Sequence, residues 1–114
     1  MLGKVSLVGA GSGDPELLTL RAYRLIREAE AVVYDNLVGD EVIALISPAA
    51  RTVYAGKESG RHALPQDRIN ELLVSLAREG LHVVRLKGGD PFIFGRGGEE
   101  MAALEAAGAS VWRL

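Results

Sequence analysis

Val5-Ser6-Leu7-Val8-Gly9-Ala10-Gly11-Ser12-Gly13-Asp14-Pro15 is the stretch that decides how this chain folds. Its first four residues, rich in valine and leucine, predict a strand that ends at Gly9. Asp14 then stands as an N-cap and Pro15 at the first helical position. Leu18, Ala22, Leu25, Ile26 and Ala29 follow at helical spacing and share one buried face. Arg21, Arg24, Arg27 and Glu28 take the outer face. A strand that passes through a glycine turn straight into a helix is the opening of a βαβ unit, so a parallel sheet is expected.

The same alternation continues outward. Residues 31–34 (AVVY) predict a second strand, with Asp35 at its carboxyl end. A short helix is expected over 40–46, stopping before Pro48, and a third strand over 51–55. Pro65 opens a helix whose Ile69, Leu72, Leu73 and Leu76 share a face and whose end is marked by Gly80. Residues 81–86 read as a fourth strand, 99–107 as an alanine-rich helix closed by Gly108, and 109–114 as a fifth strand. The fold class is α/β: one open, mainly parallel five-stranded sheet with helices on both faces, forming a single domain over residues 1–114.

Composition narrows the function. The chain has 114 residues, is 48% hydrophobic and 25% charged, and carries a formal net charge of -2. Those fractions exclude intrinsic disorder. With 0 cysteines, a disulfide scaffold and a cysteine-ligated zinc site are excluded. The slightly acidic balance argues against nucleic acid as a partner. No uncharged apolar run approaches the ~18 residues that span a bilayer, and no signal peptide precedes the first strand, so a cytoplasmic protein is expected.

Glycine is the compositional anomaly, and eight of the 14 fall in two strand-end loops, 9–13 and 87–98. Strand ends are where open α/β sheets bind ligands. The first loop invites a dinucleotide reading with Asp35 as the ribose acid. Its spacing, however, is G-x-G-x-G, and Asp14 puts a carboxylate where a pyrophosphate would sit. A tight capped turn is the stronger local reading. The second loop, Lys87-Gly88-Gly89-Asp90-Pro91-Phe92-Ile93-Phe94-Gly95-Arg96-Gly97-Gly98, offers backbone groups to a ligand more readily than a mere connection would require. Between Arg51 and Arg68, four cations (Arg51, Lys57, Arg61, Arg68) outnumber two anions (Glu58, Asp67), which suits an anionic small molecule or simply a solvated loop. Asp35 with Lys57 reads either as an acid/base couple or as an ordinary salt bridge. Neither His62 nor His82 has a partner at metal-ligand spacing, so no metal is expected; His82 reads as a surface or edge residue of the fourth strand.

Taken together, these loops resemble the tetrapyrrole methylases, and within them the uroporphyrinogen-III C-methyltransferases. The resembling residues are 8–20 (VGAGSGDPELLTL), 33–38 (VYDNLV), Gly56-Lys57, Gly60-Arg61-His62, Pro65-Gln66 and 85–100 (RLKGGDPFIFGRGGEE). The resemblance implies an enzyme that transfers methyl groups from S-adenosylmethionine to uroporphyrinogen III, giving precorrin-2. It implies cofactor contacts at Ser12, Gly88, Gly89, Asp90 and Ile93, where Ser12 departs from the family's usual proline. It implies a proton acceptor at Asp35 and a proton donor at Lys57. Arg61 is expected to meet the carboxylates of the substrate. Family members continue into a second α/β domain that completes the cofactor cleft and part of a homodimer contact, so this chain is expected to supply the N-terminal half of a site. Three other readings stay open: a non-catalytic tetrapyrrole- or partner-binding module, a nicotinamide-dependent enzyme, and another methylase of the same fold.

Overall fold

The computed structural model describes residues 3–35, 37–57, 60, 62–88 and 97–113. Alternation along its strands sends side chains into two separate cores, one on each face of a single sheet. The strands are β1 Lys4–Gly9, β2 Ala31–Tyr34, β3 Arg51–Tyr54, β4 Val83–Lys87 and β5 Ser110–Arg113, in the order β3-β2-β4-β1-β5. Every pairing is parallel, with Val5 opposite Val83 and Ala31 also opposite Val83, so β4 lies at the centre. Val5, Leu7, Val33 and Val83 face α3 (Gln66–Arg78) and α4 (Gly97–Ala106), packing on Ile69, Leu73, Leu76 and Leu104. Val8, Val32, Val84 and Leu86 face α1 (Leu20–Glu28) and α2 (Asp40–Ile43), packing on Ala22, Ile26 and Val42. Both cores are closed to solvent, and each fully buried branched side chain contributes about 1.5–3 kcal/mol.

The connections have a direction. From β1 through α1 to β2, and through α2 to β3, the chain steps along the sheet on one face. From β3 through α3 to β4, and through α4 to β5, it steps back on the other face. This is the expected α/β sheet with helices on both faces.

Three local expectations change. The helix expected to run from Pro15 to Ala29 is two pieces, a 3-10 turn Pro15–Leu17 and then α1. Leu18 and Thr19 are extended between them, and the Thr19 hydroxyl accepts from the Ala22 N–H at 3.0 Å. A second good N-cap therefore restarts the helix, while Asp14 caps only the short turn, accepting from the Glu16 N–H at 2.9 Å. The helix expected over 40–46 is regular only from Asp40 to Ile43. The fourth strand begins at Val83, so His82 precedes it, beside the centre of the sheet rather than at an edge.

His82 is half-buried, its Nε2 enclosed without a hydrogen-bond partner. Its N–H donates to the Glu30 carboxylate at 2.8 Å, and its carbonyl accepts from Glu30 and Ala31 N–H. Desolvation by burial pushes the imidazole below its ordinary range, with Lys4 adding to the effect and Glu30 and Glu28 opposing it. The unfolded chain therefore binds the proton more readily than the folded one. Stability from this group is complete above the free-histidine value of about 6.5 and drains as pH falls below it. Urea midpoints measured from about pH 7.5 down to about pH 5.5 are expected to fall in the natural chain and to fall less in His82→Leu. Parallel slopes in the two proteins would show that His82 is not the group responsible.

Candidate active site

β1 and β4 are neighbours whose next helices lie on opposite faces of the sheet, α1 after β1 and α4 after β4. Such a switch point is where open α/β sheets hold ligands, in a crevice outside the carboxyl ends of the strands. Below it the strands stay joined, with Gly9 opposite Lys87 and the Ala10 N–H donating to the Lys87 carbonyl at 2.7 Å. Glycine governs what lines the opening. Gly11 has φ +62° and nothing within 4 Å of the position a Cβ would occupy. Gly88 is the opposite case: a Cβ there would lie 2.6 Å from the Leu37 Cβ. The segment after β4 thus touches the segment after β2 through backbone, and only glycine permits it.

Beneath the crevice lies a buried charged cluster that the sequence reading missed. Arg85 and Lys87 project from β4 toward α4, and Glu100 in the first turn of α4 meets them with no solvent exposure. Arg85 Nε donates to Glu100 Oε1 at 3.2 Å, and Lys87 Nζ lies 3.4 Å from Oε2. Gln66 Nε2 adds a 2.9 Å hydrogen bond to Oε2. The Arg85 NH1 group also donates to the Val33 and Leu86 carbonyls and stands 3.9 Å from Asp35 Oδ2. Burial pushes the Lys87 ammonium below its ordinary range; Arg85 acts the same way, while Glu100 and Asp35 oppose. A signal existed. The central strand of a parallel sheet normally reads as an unbroken apolar run, so two cations two residues apart on one face require a buried counter-charge.

Asp35 directly follows β2 beside this cluster. Its Oδ1 accepts from the Leu37 N–H at 3.0 Å, and its side chain is 20% exposed. The cation set against it is Arg85, whereas Lys57 is exposed beyond β3, its carbonyl accepting from the Tyr54 hydroxyl at 2.9 Å. Ser12 is exposed in the β1 loop, its Oγ accepting from the Asp14 N–H at 3.4 Å. Gly88 borders the crevice, and Gly89, Asp90, Ile93 and Arg61 lie outside the described residues. The structure thus brings Ser12, Gly88 and Asp35 to one end of the sheet. The cation excess seen in the sequence is smaller in space: Arg51 pairs with Glu79 at 3.0 Å and Arg68 with Glu71 at 3.5 Å. Arg51 also starts β3, at the end of the sheet away from the crevice. Among the described residues no group of His, Asp and Glu is arranged to hold a metal ion.

Comparison with known proteins gives a consistent answer. A family model described as Tetrapyrrole (Corrin/Porphyrin) Methylases matches residues 4–112. The siroheme synthase of Methylococcus capsulatus is 66% identical over 106 residues, which is 93% of this chain and 22% of that protein. A crystal structure of uroporphyrin-III C-methyl transferase from Thermus thermophilus complexed with S-adenyl homocysteine superposes with a TM-score of 0.84. It is 53% identical, covering 98% of this chain and 47% of that one. A cobalt precorrin-4 methyltransferase superposes at TM-score 0.82 with 31% identity, covering 97% of this chain and 44% of the other. The chain thus spans about a fifth of the curated relative and about half of the solved structures.

The glycine contacts make opposite demands, which can be measured. Gly88→Ala is expected to cost about 1–3 kcal/mol in urea unfolding, because Leu37 must move. Gly98→Ala, at a helical position with nothing within 4 Å of the added methyl, is expected to be neutral or slightly stabilising. Equal midpoints for the two variants would contradict the close approach of Gly88 to Leu37.

Proposed function

The chain belongs to the tetrapyrrole methylase family, and from that premise we propose that it forms the N-terminal wall of an S-adenosylmethionine-dependent uroporphyrinogen-III C-methyltransferase, giving precorrin-2. The observation that carries the reading is the switch point between β1 and β4, flanked by glycine backbone at Gly11 and Gly88, with Asp35 at the end of the adjacent strand β2. The residues suit S-adenosylmethionine. The open side of Gly11 and the glycine-only contact of Gly88 leave backbone rather than side chains at the crevice, so a flat, polar nucleoside can approach main-chain donors and acceptors closely. Gly88, Gly89, Asp90 and Ile93, with Ser12 from the β1 loop, are the residues proposed to hold it. When bound, it supplies an electrophilic methyl group on sulfur.

The protein's own work is then positioning and proton handling. Holding a pyrrole carbon in line with the methyl group converts a two-body reaction into an intramolecular one, the larger part of the rate gain. The methylated ring carries a positive charge until a proton leaves or shifts. Asp35 takes that proton: its Oδ1 is engaged by the Leu37 N–H, and its partial exposure leaves the carboxylate open to a reactant. Lys57, exposed on the next strand end, returns a proton. Arg61 and Lys57 meet the substrate's carboxylates. The rest of the site, including the opposite wall and the homodimer contact, belongs to a C-terminal half like that of the longer relatives. The identity to the uroporphyrin-III enzyme, 53% against 31% for the cobalt precorrin-4 enzyme, supports the first methylation step over a later one.

Joined to the C-terminal half of the Thermus thermophilus enzyme, the chain is expected to add two methyl groups to uroporphyrinogen III, read by mass. Asp35→Asn in that protein is expected to lower kcat by about 100-fold or more. Transfer to a later tetrapyrrole only, or to none, would sink the proposal.

A further inference from the structure

We propose that Arg85 and Glu100 are positioning residues for Asp35: the buried Glu100–Arg85 pair fixes the guanidinium that sets the orientation of this partly exposed carboxylate. The inference rests on the reading of Asp35 as the proton acceptor.

Three observations support it. The first is a gradient of exposure along a connected chain of charges. Side-chain exposure is 0% at Glu100, 4% at Arg85 and 6% at Lys87, rising to 20% at Asp35. Asp35 is therefore the member best able to meet a reactant, and the others hold it from below. The second is the geometry of Arg85. One planar group donates through Nε to Glu100 and through NH1 to the Val33 and Leu86 carbonyls, with Asp35 Oδ2 at 3.9 Å. It cannot rotate toward solvent without breaking contacts on both sides, so Glu100 and the two carbonyls together determine where NH1 stands. Lysine, a point charge on a flexible stem, cannot span both carboxylates. The third is charge balance. Arg85 and Lys87 offset Glu100 and Asp35, and Gln66 occupies Glu100 Oε2, so all four charges stay paired at that end of the sheet.

Stability alone does not account for the cluster, since well-packed apolar side chains in place of a buried ion pair are often as stable. What apolar residues cannot do is hold a carboxylate at the mouth of a crevice in one orientation. Asp35 is gripped at both oxygens, Oδ1 by the Leu37 N–H and Oδ2 by the Arg85 charge. Glu100 reaches it through the Arg85 guanidinium, and the Lys87 ammonium paired with Glu100 also feels the Asp35 charge.

The test has two arms. In the 114-residue chain, carboxyl carbon NMR spectra and amide exchange are recorded for the natural protein, Glu100→Gln, Arg85→Lys and a control. The control is Glu79→Gln, which breaks only the exposed pair with Arg51. Both cluster variants are expected to shift the Asp35 Cγ resonance and speed exchange of the Leu37 amide, while Glu79→Gln moves neither. Unchanged Asp35 signals in a folded Glu100→Gln or Arg85→Lys chain would overturn the proposal, and either variant alone decides it. In the two-part methyltransferase described above, the same variants are expected to lose about 10- to 100-fold in kcat with little change in KM. Natural kcat in both would also overturn it. A two-part enzyme that transfers no methyl group even with the natural residues would instead overturn the reading of Asp35, while the spectra still report whether Glu100 sets its orientation.

Discussion

A carboxylate with no solvent exposure, Glu100, lies against two cations carried into the core by the central strand, and the other parts of the site are arranged around that contact. Arg85 and Lys87 are two residues apart, so the pleat turns both toward the same helices. Charges this deep must be paired, and removing one partner of such a pair typically costs about 3–5 kcal/mol. The helix after β4 meets them by presenting Glu100 in its first turn. That requirement seats α4 on the sheet, and with it the start of β5 beside β1. The face that would otherwise be purely apolar therefore carries a polar stripe running from the α3/α4 core to Asp35.

Backbone approach is the second constraint, and it acts at the same end of the sheet. The helices after β1 and β4 lie on opposite faces of the sheet, while Gly88 against Leu37 draws together the segments after β4 and β2. A side chain at Gly88 would wedge those segments apart and move Asp35, which is hydrogen-bonded to the Leu37 N–H. Glycine thus does two different jobs here. At Gly11 it leaves open space for something else, and at Gly88 it removes an obstacle between parts of the same chain.

Much of the architecture was legible without coordinates. Five strands follow from short β-branched apolar runs and the main helices from period-3.6 spacing, and parallel pairing follows from their alternation. The misreadings have local causes. Thr19 competes with Asp14 as an N-cap, so a continuous apolar stripe conceals a break in the helix. His82 looks like a surface or edge residue of a strand because it stands in the valine-rich run 81–86, but its place beside Glu30 and Ala31 comes from β2 and β4 lying side by side. The glycine loops and Asp35 were legible as candidates because their types are unusual at strand ends. The charged cluster was not, although Arg85, Lys87 and Glu100 all stood in segments already read as strand and helix.

By itself, the sequence determined the fold class, the strand-end position of the glycine loops, and the presence of a carboxylate at the end of the second strand. These depend on neighbours within a few residues, where hydrogen-bonding pattern and side-chain period act directly. The strand order, the switch point between β1 and β4, the contact of Gly88 with Leu37 and the pairing of Asp35 with Arg85 rather than Lys57 were decided only by tertiary structure. Their partners are 50 or more residues apart in the chain or separated by a whole helix. Which of several cations meets a buried carboxylate depends on how two elements pack, and a linear pattern does not record that.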